Sequence, residues 1–117
     1  FKANFGTLSF PGNARIWKGW FSETIPQFLA EVKGEIGFLH IDSDLYESCR
    51  EVLFGLNDRI VPGTVIAFDE LYDNVGNYDL WREGEFKALN EWLAECSREV
   101  DVISHSNRYQ AAVVVRS

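Results

Sequence analysis

Two short runs of apolar residues are the strongest feature of the hydrophobic pattern. The first is Ile36–Ile41 (Ile-Gly-Phe-Leu-His-Ile), and the second covers residues 64–68 (Thr-Val-Ile-Ala-Phe). Nearly continuous apolar runs of this length are typical of parallel strands that are covered on both faces. We therefore predict two buried parallel strands, and each of them is followed directly by acidic residues.

The segment before the first run is predicted to contain a strand and a helix. Residues 14–20 are interpreted as a short strand that ends at a glycine. A helix is expected to follow a Ser22 or Thr24 cap, with Pro26 in its first turn. The helix should stop near Gly34, because glycine commonly ends helices.

The remaining pattern alternates between helices and strands. Apolar residues at three- and four-residue spacing predict helices over two segments, residues 46–60 (ended by Val61-Pro62-Gly63) and residues 85–96. A long loop is expected at residues 71–84, and loops of that length are usually functional. Two final strands, residues 100–104 and 109–115, are joined by four residues, which favours an antiparallel hairpin.

The order of elements determines the predicted fold class. Strands and helices alternate until two strands end the chain, so we predict an α/β fold with a mainly parallel sheet that ends in an antiparallel hairpin. We find no repeat, linker or break in composition, which indicates a single domain over residues 1–117.

Composition and charge exclude several classes of protein. The chain has 117 residues, 46% hydrophobic, which is sufficient for one compact core. Its net charge is −7 without a cluster of Lys and Arg, so nucleic acid is not an expected partner. Since no apolar run is long enough to cross a bilayer, a membrane is not expected either. Cys49 and Cys96 lack disulfide or zinc spacing and indicate a reduced, cytoplasmic protein.

Acidic residues follow both predicted parallel strands. Asp42 and Asp44 come after the first strand, and Asp69 and Glu70 after the second. Ligands of open α/β sheets bind outside these strand ends, where the carboxylates should converge. Crowded carboxylates repel one another unless a hard cation such as Mg²⁺ or Ca²⁺ lies among them. The alternative for the first strand end is that Ser43 or Asp44 caps the next helix.

Four segments together resemble a known family. They are Lys-Gly-Trp-Phe-Ser-Glu-Thr-Ile-Pro at residues 18–26, Leu-His-Ile-Asp-Ser-Asp-Leu-Tyr-Glu-Ser at 39–48, Val-Pro-Gly at 61–63 and Phe-Asp-Glu at 68–70. In this order they resemble the macrocin O-methyltransferase family of class I S-adenosylmethionine-dependent enzymes, from about residue 15 onward. The resemblance implies the C-terminal half of a Rossmann-like methyltransferase fold. It also implies Mg²⁺-assisted methylation of a small-molecule hydroxyl, typically on a sugar.

The resemblance assigns roles to the acidic residues. It implies that Asp42, Asp69 and Glu70 are the metal ligands, although the family usually has Asp-Asp at the last pair. Asp42 or Asp44 would be the general base, since a hydroxyl must lose its proton to become a good nucleophile.

The resemblance also implies which residues contact the cofactor and the methyl acceptor. A turn formed by Gly19, Trp20, Phe21 and Ser22 would lie against the adenine, with Ser43 on the ribose side. The long loop would cover the acceptor with three aromatic side chains, Tyr72, Tyr78 and Trp81.

Part of the family fold is not found in this sequence. No Gly-x-Gly-x-x-Gly occurs, and the first two strands of the family fold are absent. The strand Ile36–Ile41 would then expose an apolar edge, which proteins rarely leave unpaired. We hypothesise a shortened gene product in which a second copy, as a homodimer, or a rearranged strand covers this edge. Cofactor binding by such a chain is expected to be weak or lost.

Two other functions fit part of the pattern. Asp42-Ser43-Asp44 is the Asp-x-Asp arrangement by which many glycosyltransferases hold a metal and a nucleotide sugar, but this function leaves Asp69 and Glu70 unexplained. The other alternative is a non-catalytic remnant that keeps the fold and associates with a partner.

Overall fold

A computed structural model of the chain describes residues 12–73, 76 and 79–117. It contains one four-stranded sheet, whose strands are β1 (Ile36–Ile41), β2 (Ile60–Phe68), β3 (Val100–His105) and β4 (Ala111–Val115). Their order across the sheet is β1-β2-β4-β3. β1 and β2 are parallel, whereas β4 is antiparallel to both of its neighbours. The predicted α/β architecture and its closing hairpin are therefore confirmed.

Three helices pack with this sheet: α1 (Phe21–Glu31), α2 (Tyr46–Gly55) and α3 (Glu85–Glu95). The buried positions of β2 and β4 alternate along each strand, so they belong to one face of the sheet. On that face Phe68 and Val113 join Leu53 of α2 and Trp92 of α3 in a single apolar core. Within the described ranges, no helix is long and apolar enough to cross a membrane.

The predicted strand at residues 14–20 is wrong. These residues form neither strand nor helix. The Trp17 ring instead packs edge-on against Phe28 of α1, with 5.3 Å between ring centroids, and its indole N–H points to Glu31 at 3.4 Å. The segment therefore lies along a helix, where its aromatic side chain finds an apolar partner.

Helix α1 begins without the predicted side-chain cap. Its N-cap is Trp20, and neither Ser22 nor Thr24 caps it, because the Thr24 hydroxyl donates back to the Trp20 carbonyl at 3.1 Å. Pro26 lies inside the helix and not in its first turn. The predicted stop near Gly34 is confirmed, since the helix ends at Glu31.

Helix α2 is shorter than predicted, and β2 is longer. The helix ends at Gly55, and β2 starts at Ile60 and continues through Val61-Pro62-Gly63, the three residues predicted to end the helix. A register shift next to β1 accommodates them. Thr64 stabilises it: its hydroxyl donates to the Ile36 carbonyl at 2.6 Å and accepts the Val61 N–H at 3.0 Å.

β1 forms an edge of the sheet in the described part of the chain. It pairs with β2 on one side, and no other described strand pairs with it. Phe38 at its centre is 63% exposed. The apolar edge that the sequence predicted is therefore present.

Candidate active site

The register of β1 and β2 brings their acidic ends together. Ile41 pairs with Phe68, so Asp42 and Asp69 are the next residues at the carboxyl edge of the sheet. The Asp69 N–H donates to the Ile41 carbonyl at 3.0 Å, which extends the ladder one step beyond the strands.

The four carboxylates interact as two pairs. The charge of Asp69, followed by a hydrogen bond with it, raises the pKa of Asp42. Burial raises the pKa of Glu70 above its usual range, and the charge of Asp44 and a hydrogen bond with it raise it further. The structure thus brings Asp42 near Asp69 and Asp44 near Glu70, as two pairs.

The donor set fits a hard cation by its chemistry. Carboxylate oxygens are the ligands that Mg²⁺ prefers, and a cation would relieve the charge repulsion that contributes to the raised pKa values of Asp42 and Glu70. As they stand, however, the described side chains include no group of three or more His, Cys, Asp or Glu arranged to hold a metal ion. The metal-ligand roles of Asp42, Asp69 and Glu70 stay predictions.

The turn after β1 does not cap helix α2. The N-cap of α2 is Leu45, and no side chain bonds to the helix N-terminus, so capping by Ser43 or Asp44 is wrong. Asp44 has a φ of 64°, a left-handed conformation that Asp and Asn tolerate better than most residues. The Ser43 hydroxyl is buried and has no hydrogen-bond partner.

A fifth acidic residue, Glu85, lies beneath the two pairs. It is the first residue of α3 and is 0% exposed, and its Oε1 accepts the Glu70 N–H at 3.1 Å. Burial raises the pKa of Glu85 to about 7, although the amides of Glu70, Asp44 and Ser43 favour its charged form. Its Oε2 has no hydrogen-bond partner of ordinary geometry.

Sequence reasoning missed Glu85. A glutamate in the first turn of a helix is normally an exposed residue that complements the helix dipole. Nothing in the local sequence distinguishes Glu85 from Glu83, which is exposed.

An open cavity of about 520 Å³ lies between α1 and β1 and reaches the acidic turn. Of the residues predicted to bind cofactor, Phe21 and Ser43 line it, and the predicted base Asp42 also belongs to its lining. Trp20 does not line it and is 78% exposed. Gly19 and Ser22 likewise lie outside its lining.

Gly19 is nevertheless required by the backbone. Its φ is 143°, and an added Cβ would lie 3.2 Å from the Thr24 methyl group. Any other residue there would be strained and crowded.

The aromatic residues predicted to cover the acceptor are placed differently from one another. Tyr72 donates its hydroxyl hydrogen to the Ser106 carbonyl and thereby joins the loop to the β3–β4 hairpin. Trp81 packs edge-on against Phe86, and the Arg82 guanidinium lies 4.2 Å from the centre of its ring. Tyr78 lies outside the described residues. Contact of any of the three with an acceptor stays a prediction.

Comparison with known proteins places this site in a family context. Residues 1–71 match the model of a methyltransferase domain family. Over 70 residues the chain is 34% identical to the 8-demethyl-8-(2,3-dimethoxy-alpha-L-rhamnosyl)-tetracenomycin-C 4'-O-methyltransferase of Streptomyces olivaceus, a match that covers 59% of this chain and 26% of the relative.

Two solved structures share the fold. The apo structure of CalS11, a TDP-rhamnose 3'-O-methyltransferase of calicheamicin biosynthesis, is 27% identical with a TM-score of 0.63, and the match covers 84% of this chain and 40% of that one. The O-methyltransferase NovP is 23% identical, with a TM-score of 0.69, and the match covers 98% of this chain and 41% of that one. At this identity the likeness shows the fold alone.

The chain spans well under half the length of these relatives. The likeness confirms a partial Rossmann-like fold and supports a class I O-methyltransferase, whereas the narrower macrocin assignment stays a prediction. Since the family model covers more than half of the chain, this protein belongs to the methyltransferase domain family.

Proposed function

We propose that the chain forms the acidic, acceptor-side part of an S-adenosylmethionine-dependent O-methyltransferase that acts on a sugar hydroxyl. The observation that carries the proposal is the convergence of two carboxylate pairs at the ends of adjacent parallel strands, beside an apolar cavity. The printed names of two relatives support the acceptor class, since one acts on a rhamnosylated tetracenomycin and the other on TDP-rhamnose.

Asp42 is suited to the role of general base. Methyl transfer is an in-line displacement, in which the acceptor oxygen attacks while its proton is removed. When no cation lies between them, Asp69 raises the pKa of Asp42, which increases the affinity of Asp42 for that proton. Asp44 lies in the same turn and is the alternative base.

The cavity is suited to the adenosine end of the cofactor. S-adenosylmethionine, when bound, supplies a methyl group on a positively charged sulfonium. Phe21 provides an apolar ring in the cavity lining, and the unpaired Ser43 hydroxyl is free to bond a ribose oxygen. Crowded carboxylates nearby favour positive charge at this edge of the sheet.

Magnesium assistance is part of the same proposal. Asp42, Asp69 and Glu70 would hold the ion, and small movements of these side chains would be needed to form the ligand set. Its charge would lower the pKa of an acceptor hydroxyl and relieve the repulsion between the pairs.

Calorimetric titration with S-adenosylhomocysteine, with and without Mg²⁺, tests the proposal. We expect weak binding that depends on Mg²⁺ and is lost in an Asp42→Asn, Asp69→Asn double variant. Asp58→Asn is the matched control, because Asp58 is exposed and lies in the short turn before β2. Absence of binding to the unmodified chain would contradict a working cofactor site and favour the non-catalytic alternative.

We further propose that the β1 edge pairs with a second copy of the chain. The exposed Phe38 and the open backbone of β1 support this homodimer. Light scattering after size exclusion should give twice the mass of one chain. Phe38→Lys should reduce the measured mass to that of a single chain. A monomer of the unmodified chain at all concentrations would refute the dimer.

We also propose a cytoplasmic location. Cys49 and Cys96 are both free thiols, which suits a reducing compartment. Fractionation of source cells, with a secreted and a membrane marker as controls, tests this location.

A further inference from the structure

Glu85 has an unusual environment for a charged residue. Of the acidic and basic residues in the described part of the chain, it alone is buried. A buried carboxylate is unfavourable unless its oxygens accept hydrogen bonds. The groups that surround Glu85 must therefore compensate the cost of its burial.

Those groups belong to the two turns that carry the carboxylate pairs. Glu85 Oε1 accepts the N–H of Glu70, in the turn after β2. The backbone amides of Ser43 and Asp44, in the turn after β1, make no hydrogen bond to Glu85, but they are near enough to lower its pKa by favouring the charged form. One side chain of α3 thus bonds directly to the turn after β2 and interacts electrostatically with the turn after β1.

The same contact fixes the position of the segment between β2 and α3. Glu70 precedes that segment and Glu85 follows it, and their hydrogen bond spans 15 residues of sequence. Trp81, predicted to face the acceptor, lies within the segment. Glu85 therefore holds the base of this segment and the acidic turns in one arrangement.

We propose that Glu85 is a positioning residue, whose buried carboxylate bonds to the turn after β2, attracts the amides of the turn after β1, and so sets the spacing within the Asp42–Asp69 and Asp44–Glu70 pairs. The functional part of this inference rests on the proposed methyltransferase site. Its structural part depends only on the contacts of Glu85 itself.

Substitutions at residue 85 separate the role of Glu85 as a hydrogen-bond acceptor from its contribution to packing. Glu85→Gln keeps one side-chain oxygen that can accept the Glu70 N–H, whereas Glu85→Ala removes both side-chain oxygens. Glu83→Ala is the matched control, because Glu83 is exposed and lies two residues away.

Amide hydrogen exchange, measured by NMR on the full chain, tests the structural part. We expect Glu85→Ala to accelerate exchange at Glu70 by about tenfold or more, as for a lost hydrogen bond to a charged acceptor, and to accelerate it less at Ser43 and Asp44, whose amides interact with Glu85 only electrostatically. The Ile66 amide in the sheet centre should change little, and Glu85→Gln should restore most of the protection at Glu70. Unchanged exchange at the three amides, or equal acceleration at Ile66, would overturn the proposal.

Mg²⁺ titration tests the functional part. Glu85→Ala should weaken Mg²⁺ binding by about tenfold at an unchanged fold, with Glu85→Gln close to the unmodified chain. Equal Mg²⁺ affinity in all variants would refute the positioning role. If the unmodified chain binds no Mg²⁺, the magnesium part of the proposed function fails, while the exchange experiment still decides whether Glu85 holds the two turns.

Discussion

Arg59 donates a hydrogen bond from Nη2 to the carbonyl of Leu29 at 2.9 Å, and so joins the turn before β2 to the last turn of α1. Its Nη1 donates to the carbonyls of Val32 at 2.7 Å and Gly34 at 3.3 Å. One guanidinium therefore satisfies carbonyl groups that the end of a helix leaves without intrahelical partners. Because α1 forms one wall of the cavity, this contact also fixes the width of the proposed cofactor site.

Arg59→Ala is expected to lower the free energy of unfolding by about 2 kcal/mol, the range of hydrogen bonds made by charged groups. Urea denaturation measures the change. Arg59→Lys should recover only part of the loss, because an ammonium lacks the planar fork that reaches several carbonyls. Arg116→Ala is the control: its ion pair with Glu99 is exposed, so its removal should cost less than about 1 kcal/mol. Equal losses at both positions would contradict the role of Arg59.

Stability should depend on pH through Glu91. A hydrogen bond from Tyr46 (2.5 Å) and the charge of Arg50 lower the pKa of Glu91 below its ordinary value of 4.5. A carboxyl whose pKa is lower in the folded state stabilises the protein above pH 4.5, and this contribution is lost as the pH falls through the folded-state pKa.

Glu91→Gln should therefore destabilise the chain at pH 7 and have a smaller effect at pH 3. Denaturation curves at both pH values give the difference. Glu47→Gln is the matched control, since Glu47 is an exposed glutamate of α2. A Glu91→Gln effect that is the same at both pH values would show that the carboxylate charge is not the source of stability.

The carboxylate pairs should make thermal stability respond to Mg²⁺. Without the ion, Asp42→Asn should raise the melting temperature, because it removes the repulsion that raises the pKa of Asp42. With millimolar Mg²⁺, the unmodified chain should gain more than the variant. Scanning calorimetry in EDTA and in Mg²⁺ measures both effects. Equal gains in the two proteins would place the bound ion elsewhere.

The two thiols should differ in reactivity. Burial raises the pKa of Cys49 far above its usual range, and this side chain is fully buried. Because the thiolate is the reactive form, Cys49 should resist alkylation at pH 8 until the chain unfolds. Cys96 is partly exposed and should react first. Mass spectrometry of the Cys96→Ala and Cys49→Ala variants separates the two sites; rapid labelling of Cys49 in the folded chain would contradict its burial.

The parts of the fold that the sequence predicts best are those governed by local pattern. The apolar runs that became β1 and β2 are long enough to indicate buried parallel strands, and the acidic residues at their ends follow from the same register. The start of β2 was missed because it depends on a distant contact. Thr64 bonds the Ile36 carbonyl and allows a strand to pass through Pro62, which local rules treat as a break.

Glu85 and Trp17 show the same limitation at the level of single residues. Burial of Glu85 results from the meeting of three separate backbone segments, and no sequence window contains all of them. Trp17 lies in a segment with strand-like composition, but its ring is satisfied by a helix that comes later in the chain. Tertiary contacts of this kind override local propensity.

The left-handed backbone of Asp44 restricts which residues can evolve at this position. At a φ of 64°, Gly, Asn and Asp are tolerated, whereas longer side chains carry a penalty of about 1–2 kcal/mol. Among these three, only Asp carries a carboxylate. A library randomised at residue 44 should therefore recover Gly, Asn and Asp when variants are selected for folding. When variants are selected for a function that needs a carboxylate at residue 44 in addition to that of Asp42, Asp alone should be recovered. The turn thus limits the chemistry of the site to the shorter of the two acidic side chains.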